Sequence, residues 1–109
     1  MDFPIYQLQA MRTAKPMTPE DDLMHAALGL AGEAGEFCDA IKKHLVYGRD
    51  LDRENALEEL GDVLWFVALG CTALGVSMAD VAQGNIDKLR KRYPEKYEDE
   101  LAFRRLDKS

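Results

Sequence analysis

The sequence lacks the features that mark several common classes of protein. Its longest apolar run, VLWFVALGC at 63–71, is far shorter than the roughly 20 residues that span a bilayer, so we expect no contact with a membrane. Residues 1–10 have neither a basic start nor an apolar stretch, so no secretory signal is predicted and the expected location is cytoplasmic. Alternating β-branched runs are absent as well, which argues against strands.

Negative charge outnumbers positive charge, and cysteine is scarce. The chain has 14 Lys and Arg against 20 Asp and Glu, and we expect no nucleic-acid partner because such surfaces need clustered positive charge. The two cysteines, Cys38 and Cys71, show no CxxC spacing, and we interpret both as buried free thiols. A chain of 109 residues is predicted to form one domain, 1–109, with its core over about 20–97 and a charged tail over 98–109.

What the sequence does contain is helical pattern, interrupted by proline and glycine. Thr18 and Asp52 are typical residues for the start of a helix, and Gly48 and Gly75 are typical of helix ends. The predicted helices cover about 5–14, 19–47, 53–74 and 78–92. The predicted fold class is therefore all-α, a bundle of four to five helices.

The second predicted helix carries an unusual pair of acids. The stretch GLAGEAGEF at 29–37 places Glu33 and Glu36 one turn apart among glycines and alanines. We interpret the opposite side of this helix as the face that enters the core. That face comprises Leu23, Met24, Ala27, Leu28, Ala31, Ala34, Cys38, Ile41 and Leu45. Because a glycine inside a helix costs about 1 kcal/mol relative to alanine, the three glycines of this stretch predict that another backbone or a ligand comes close.

The third predicted helix repeats the arrangement. EELGDVLWF places Glu59 and Asp62 three residues apart, directly before a nearly continuous apolar run. A helix that is apolar on all sides is buried on all sides. Since so small a chain has few elements with which to cover it, we expect a homodimer or a homotetramer.

The two acid pairs meet if these helices form an antiparallel hairpin that turns near Gly48. This register places Glu36 opposite Asp62, with Glu33 and Glu59 within about one helical turn of that level. Four close carboxylates repel one another, and a divalent cation removes the repulsion. Oxygen ligands favour Mg²⁺, with Mn²⁺ as a substitute, over zinc. No histidine follows at the i+3 positions that bundle di-iron sites use.

These acids resemble a known motif. Glu33-x-x-Glu36, a spacer over 37–58 and Glu59-x-x-Asp62 are similar to the pattern of the MazG-like all-α nucleoside triphosphate pyrophosphohydrolases. NIDKLRKRYP at 85–94 is similar to a later segment of that family. The resemblance implies an all-α dimer or tetramer that hydrolyses nucleoside or deoxynucleoside triphosphates to the monophosphate and pyrophosphate. It also implies Mg²⁺ bound by the four acids.

Further roles are expected by analogy with such enzymes. Glu36 is the candidate catalytic residue, which would orient or deprotonate the attacking water. Asn85, Lys88 and Arg92 share one face of the fourth helix and are the candidate phosphate-binding residues. We interpret Lys42 and Lys43 as charges that favour a helix C-terminus, and Trp65 as a core residue rather than a platform for a nucleobase.

Two other functions fit the same residues. One keeps the fold and the metal but changes the substrate to phosphoribosyl-ATP, as in the related hydrolase of histidine biosynthesis. The other is a non-catalytic helical interaction module whose acids bind a basic partner. The module predicts that the acids tolerate replacement by Gln or Asn, whereas either enzyme predicts loss of activity.

Overall fold

The computed structural model describes residues 1–94 and 99–100, and this part of the chain is helical without strands. Its helices are α1 Phe3–Met11, α2 Pro19–Leu45, α3 Arg53–Ala73 and α4 Met78–Arg92. The all-α fold class is confirmed, and the predicted bounds differ from the observed ones by at most three residues. Apart from 99 and 100, the charged tail predicted over 98–109 lies outside the described residues.

Capping side chains determine where the helices begin. The Thr18 hydroxyl accepts a hydrogen bond from the Asp21 amide (3.2 Å), and the Asp52 carboxylate accepts one from the Asn55 amide (3.1 Å), as predicted. Asp2 caps α1 in the same way, which explains why that helix begins two residues earlier than expected. Gly48 and Gly75 have φ of 67° and 72°, a left-handed conformation that glycine adopts without steric cost and that ends α2 and α3.

The chain forms two compact units, Met1–Met78 and a second that begins at Ala79. In the first unit, α2 and α3 pack as an antiparallel hairpin and α1 lies across α3. The Gln7 side chain fixes α1, because it donates to the Thr72 hydroxyl (3.0 Å) and the Val76 carbonyl (3.1 Å) and accepts from the Met78 amide (2.8 Å). The second unit contains α4 from Ala79 onward.

The core of the first unit is small. Its buried side chains include Ala10, Ala68, Cys71 and Met78, against which Trp65 and its neighbours pack. Leu69 is the largest fully buried side chain among the described residues. Apolar side chains on the outer surfaces of α2 and α3 remain exposed. This part of the chain therefore buries only a fraction of the apolar surface that its sequence offers.

The predicted core face of α2 is wrong. Leu28 is 69% exposed and Met24 is 64% exposed, whereas Ala26 and Ala40, on the other side of the helix, are buried. Ala26 and Gly29 pack against α3, because their small size allows the two helices to approach closely. The larger apolar residues of α2 therefore face outward within this single chain.

The two cysteines differ from one another. Cys71 is buried, as predicted, and burial raises the pKa of its thiol. The prediction that Cys38 is buried is wrong, because Cys38 lies on the exposed outer face of α2.

Within the residues described, no single helix is long and apolar enough to cross a membrane. Joined across the break between them, α3 and α4 meet the length and composition criteria as one broken segment, as core helices of soluble proteins also can.

Candidate metal centre

Small residues determine how α2 and α3 align. The Phe66 ring occupies the space where a side chain at Gly29 would lie, and a Cβ at Gly70 would be 3.6 Å from Cβ of Ala26. The predicted register places Ala26 opposite Thr72, so the observed pairing is shifted by two residues. A close neighbour is present at Gly29, but it is the Phe66 side chain and not the backbone or ligand that was expected.

This alignment brings three carboxylates together. Glu33 of α2 and Glu59 and Asp62 of α3 each offer an oxygen, and these oxygens lie within 4.8 Å of one another. We call these three residues the acid cluster. Glu36 is not part of this group, so the predicted pairing of Glu36 with Asp62 is wrong: the register shift puts Glu33 beside Asp62 instead. The charge of Glu36 still acts on Glu59.

Glu59 has the most constrained position in the acid cluster. Its Oε2 atom is buried and has no hydrogen-bond partner among the described residues when the carboxyls are ionised. Its pKa rises from 4.5 to about 7, first because a side-chain hydrogen bond with Glu33 forms when the pair holds a proton. Desolvation and the charges of Glu33, Asp62 and Glu36 raise it further. The acid cluster therefore needs a proton or a cation near neutral pH.

The acid cluster fits a divalent cation. All of its donors are carboxylate oxygens, the ligands that Mg²⁺ and Mn²⁺ prefer. Mg²⁺ binds oxygens at about 2.1 Å, so oxygens that share one ion lie roughly 3 to 4 Å apart. The three oxygens lie within 4.8 Å of one another, which is compatible with this range after small rotations of the side chains. The unpartnered Oε2 of Glu59 would gain a ligand bond in place of a missing hydrogen bond.

Tyr6 of α1 is a neighbour of the acid cluster that the sequence did not reveal. The pKa of its hydroxyl is raised by burial and then by the charge of Asp62. Tyr6 lies on a different helix 56 residues away in sequence, and only the packing of α1 across α3 brings it near. No local pattern in the sequence signals this proximity.

The two glycines of α2 that flank Glu33 in sequence face open space. Among the described residues, no atom lies within 4 Å of a Cβ built at Gly32 or Gly35. The expectation of a close protein neighbour therefore does not hold at these two glycines within this chain. Their lack of side chains leaves room on the same helix that holds Glu33.

The other candidate residues have clear positions. Asn85, Lys88 and Arg92 lie on α4, in the second unit, at a spacing that places them along one side of that helix. Trp65 packs in the core of the first unit, where its Nε1 donates to the Ala10 carbonyl (3.1 Å) and the Thr13 hydroxyl (3.0 Å). The interpretation of Trp65 as a core residue agrees with these bonds.

Known proteins resemble the chain over most of its length. The "Gene 37 protein" of Mycobacterium phage L5 is 38% identical over 104 residues, which cover 84% of this chain and 89% of that protein. The "Uncharacterized protein YvdC" of Bacillus subtilis (strain 168) is 32% identical over 74 residues, which cover 59% of this chain and 69% of that protein. No solved structure shows significant similarity to the chain.

The match to a domain family includes both acid pairs and all of α4. Residues 23–97 match the MazG nucleotide pyrophosphohydrolase domain, whose enzymes use divalent metals, in agreement with the acid cluster. On this match, the chain belongs to the MazG nucleotide pyrophosphohydrolase family.

Proposed function

We propose that the protein is a Mg²⁺-dependent pyrophosphohydrolase that converts nucleoside or deoxynucleoside triphosphates to the monophosphate and pyrophosphate. The observation that carries the proposal is the acid cluster: Glu33, Glu59 and Asp62 offer converging oxygens, and one of these oxygens is buried without a partner. A divalent cation bound there would polarise the α-phosphate and lower the pKa of a bound water. Nucleotide-pool housekeeping is the role that such a reaction would serve.

The protein residues hold and orient the reactants in this proposal. Glu33, Glu59 and Asp62 bind the cation, and Glu36 completes the set or takes the proton of the attacking water. Glu36 is suited to the second task because it lies near the acid cluster without being part of it. Water adds to the α-phosphorus, the bond from this phosphorus to the bridging oxygen breaks, and pyrophosphate leaves. Asn85, Lys88 and Arg92 remain the predicted phosphate-binding residues.

We also propose that the protein works as a homodimer or homotetramer. The outer side of α2 presents Leu23, Met24 and Leu28, and that of α3 presents Leu57 and Leu60, all more than 40% exposed. A second copy would remove these side chains from water, with a gain of about 25 cal/mol for each Å² of apolar area buried. Sedimentation equilibrium at micromolar concentration tests this point, and a stable monomer would contradict it.

The reaction is tested with a substrate panel and a readout that identifies the products. The purified protein is incubated with each nucleoside triphosphate, each deoxynucleoside triphosphate and phosphoribosyl-ATP, in Mg²⁺ and in EDTA, and products are followed by ³¹P NMR. We expect monophosphate and pyrophosphate in Mg²⁺ and no turnover in EDTA. Diphosphate and orthophosphate as products, or full turnover in EDTA, would contradict the proposal. Turnover of phosphoribosyl-ATP and of none of the other nucleotides would identify phosphoribosyl-ATP as the substrate.

A further inference from the structure

A second charged site lies at the end of the helical hairpin, two turns beyond Glu36. A surface cavity of about 310 Å³ is lined by Lys42, Lys43, Arg49, Tyr47 and Asp39. Three cationic side chains and one carboxylate give the cavity a net charge of +2. This is the opposite sign to the whole chain, whose net charge is −6.

Backbone hydrogen bonds hold these cations together. Gly48 has φ of 67°, and the chain then folds back so that the Arg49 amide donates to the Lys43 carbonyl (3.2 Å). The carbonyl oxygen of Arg49 accepts a hydrogen bond from Nδ1–H of His44 at 2.7 Å. Both bonds involve the backbone of Arg49, so they position this residue beside the last turn of α2 whatever its side chain. The loop therefore presents the Arg49 guanidinium next to two lysines.

Asp39 neutralises only part of this charge. Its carboxylate contacts Nζ of Lys43 at 2.9 Å and Nζ of Lys42 at 3.6 Å. All three side chains are about half exposed, and exposed ion pairs contribute little to stability. The Arg49 guanidinium has no hydrogen bond or ion pair within the part of the chain described. A role as charges at a helix C-terminus accounts for the lysines, but not for an arginine held over them by the loop.

We propose that this cavity is a binding site for a phosphate chain, namely the pyrophosphate end of a nucleotide or a free phosphoanion of the same chemistry. Lysine ammonium groups and the arginine fork bind phosphate oxygens, and a pair of phosphates neutralises the net charge of the cavity. Lys43 follows Glu36 by seven residues, so it lies on the same side of α2, about 10 Å further along the axis. In this proposal, a triphosphate bound at the acid cluster directs its terminal phosphates along α2 toward the cavity. The assignment of the bound phosphates to a nucleotide substrate rests on the proposed function, whereas the binding of a phosphoanion in the cavity does not.

The test measures pyrophosphate binding without metal. Without metal, the acid cluster repels an anion, so inorganic pyrophosphate is titrated into metal-free full-length protein by calorimetry, and substitutions in the cavity separate its contribution from that of α4. We expect saturable binding that Arg49→Gln weakens about five- to tenfold, as suits the loss of one charge-assisted contact. Lys43→Gln should act in the same direction. Arg53→Gln is the matched control, because it removes an exposed arginine that does not line the cavity.

Two outcomes of the pyrophosphate titration would contradict the proposed binding site. Absence of binding to the parent protein, or equal weakening by Arg49→Gln and Arg53→Gln, would overturn the proposal, since the second result indicates only general electrostatic attraction. Gln at position 49 keeps the two backbone hydrogen bonds, and an unchanged melting temperature verifies folding. Should Arg49→Gln fail to fold, Lys42→Gln replaces it with the same expected loss.

Steady-state kinetics then show whether the cavity binds the terminal phosphates of the substrate or a free phosphoanion. If the cavity holds the terminal phosphates of the substrate, Arg49→Gln raises KM for the triphosphate in Mg²⁺ and leaves kcat nearly unchanged. If it holds a free phosphoanion, KM at low phosphate stays the same and the response of the rate to added phosphate is lost. Failure of the parent protein to hydrolyse any triphosphate would contradict the proposed function while leaving the metal-free binding result intact.

Discussion

The interface between α2 and α3 has two halves that use small residues in opposite ways. In the packed half, formed by Ala26, Gly29, Phe66 and Gly70, the missing side chain at Gly29 admits the Phe66 ring. In the acidic half, formed by Glu33, Glu59 and Asp62, the nearby glycines have open space instead of a neighbour. The packed half fixes the register of the helices, and this register creates the acidic half. Glycine thus admits a packed neighbour in the first half and faces open space in the second.

Asp62→Asn tests the acidic half and should have the largest effect. Loss of a carboxylate ligand should lower kcat/KM for the preferred triphosphate at least about a hundredfold, more than loss of a residue that only orients a ligand. Metal-free stability should stay equal or increase, because one of several repelling charges is gone. Steady-state kinetics and thermal unfolding without metal measure the two effects.

Asp50→Asn, in the exposed loop after α2, is the matched control and should leave both properties unchanged. A lower melting temperature of Asp62→Asn combined with parental turnover would mean that the acids are structural.

Gly29→Ala tests the packed half. The added methyl group must displace the Phe66 ring, which also lies edge-on to Trp65 with ring centroids 5.0 Å apart. Overpacking of this kind costs about 1–3 kcal/mol, and denaturant unfolding measures the loss. The matched control is Gly32→Ala, where the methyl group enters open space and should stabilise the helix by up to about 1 kcal/mol. Equal changes in the two variants would remove the distinction between the halves.

The pH dependence of stability tests the acidic half separately from the packed half. The pKa of Glu59 is about 7 in the folded protein against an ordinary value of 4.5, so between these values the folded state binds more protons than the unfolded state. Stability must then fall as pH rises through this window. We expect the melting temperature of the metal-free protein to decrease from pH 5 to pH 7.5, and to decrease less in Glu59→Gln. The same slope in both proteins would show that Glu59 titrates normally.

The sequence predicted the helices well because their determinants are local. Thr18, Asp52, Gly48 and Gly75 act within one turn of their own positions, so the order of residues reveals them. The acid spacing likewise indicated that carboxylates from two helices converge. The predicted core face of α2 failed because hydrophobic periodicity does not tell whether the cover comes from the same chain or from another. Leu28, predicted to enter the core, is exposed in the single chain.

The register and the neighbours of the acid cluster could not be predicted, because they depend on contacts between helices. A symmetric turn suggested that Glu36 lies opposite Asp62, but the Phe66 ring above Gly29 shifts the pairing toward Glu33. The approach of Tyr6 to Asp62 depends on how α1 crosses α3. The position of Arg49 beside Lys43 depends in turn on the loop that follows Gly48.

The central claim is that the acid cluster binds a divalent metal, and direct titration of Mn²⁺ tests it without reference to any substrate. Free Mn²⁺ gives an EPR signal that disappears on binding, so metal-free parent protein and Asp62→Asn can be compared at equal concentration. We predict saturable binding by the parent that Mg²⁺ displaces, and at least about tenfold weaker binding by Asp62→Asn. Equal affinity of the two proteins for Mn²⁺, or no binding by the parent, would contradict the account.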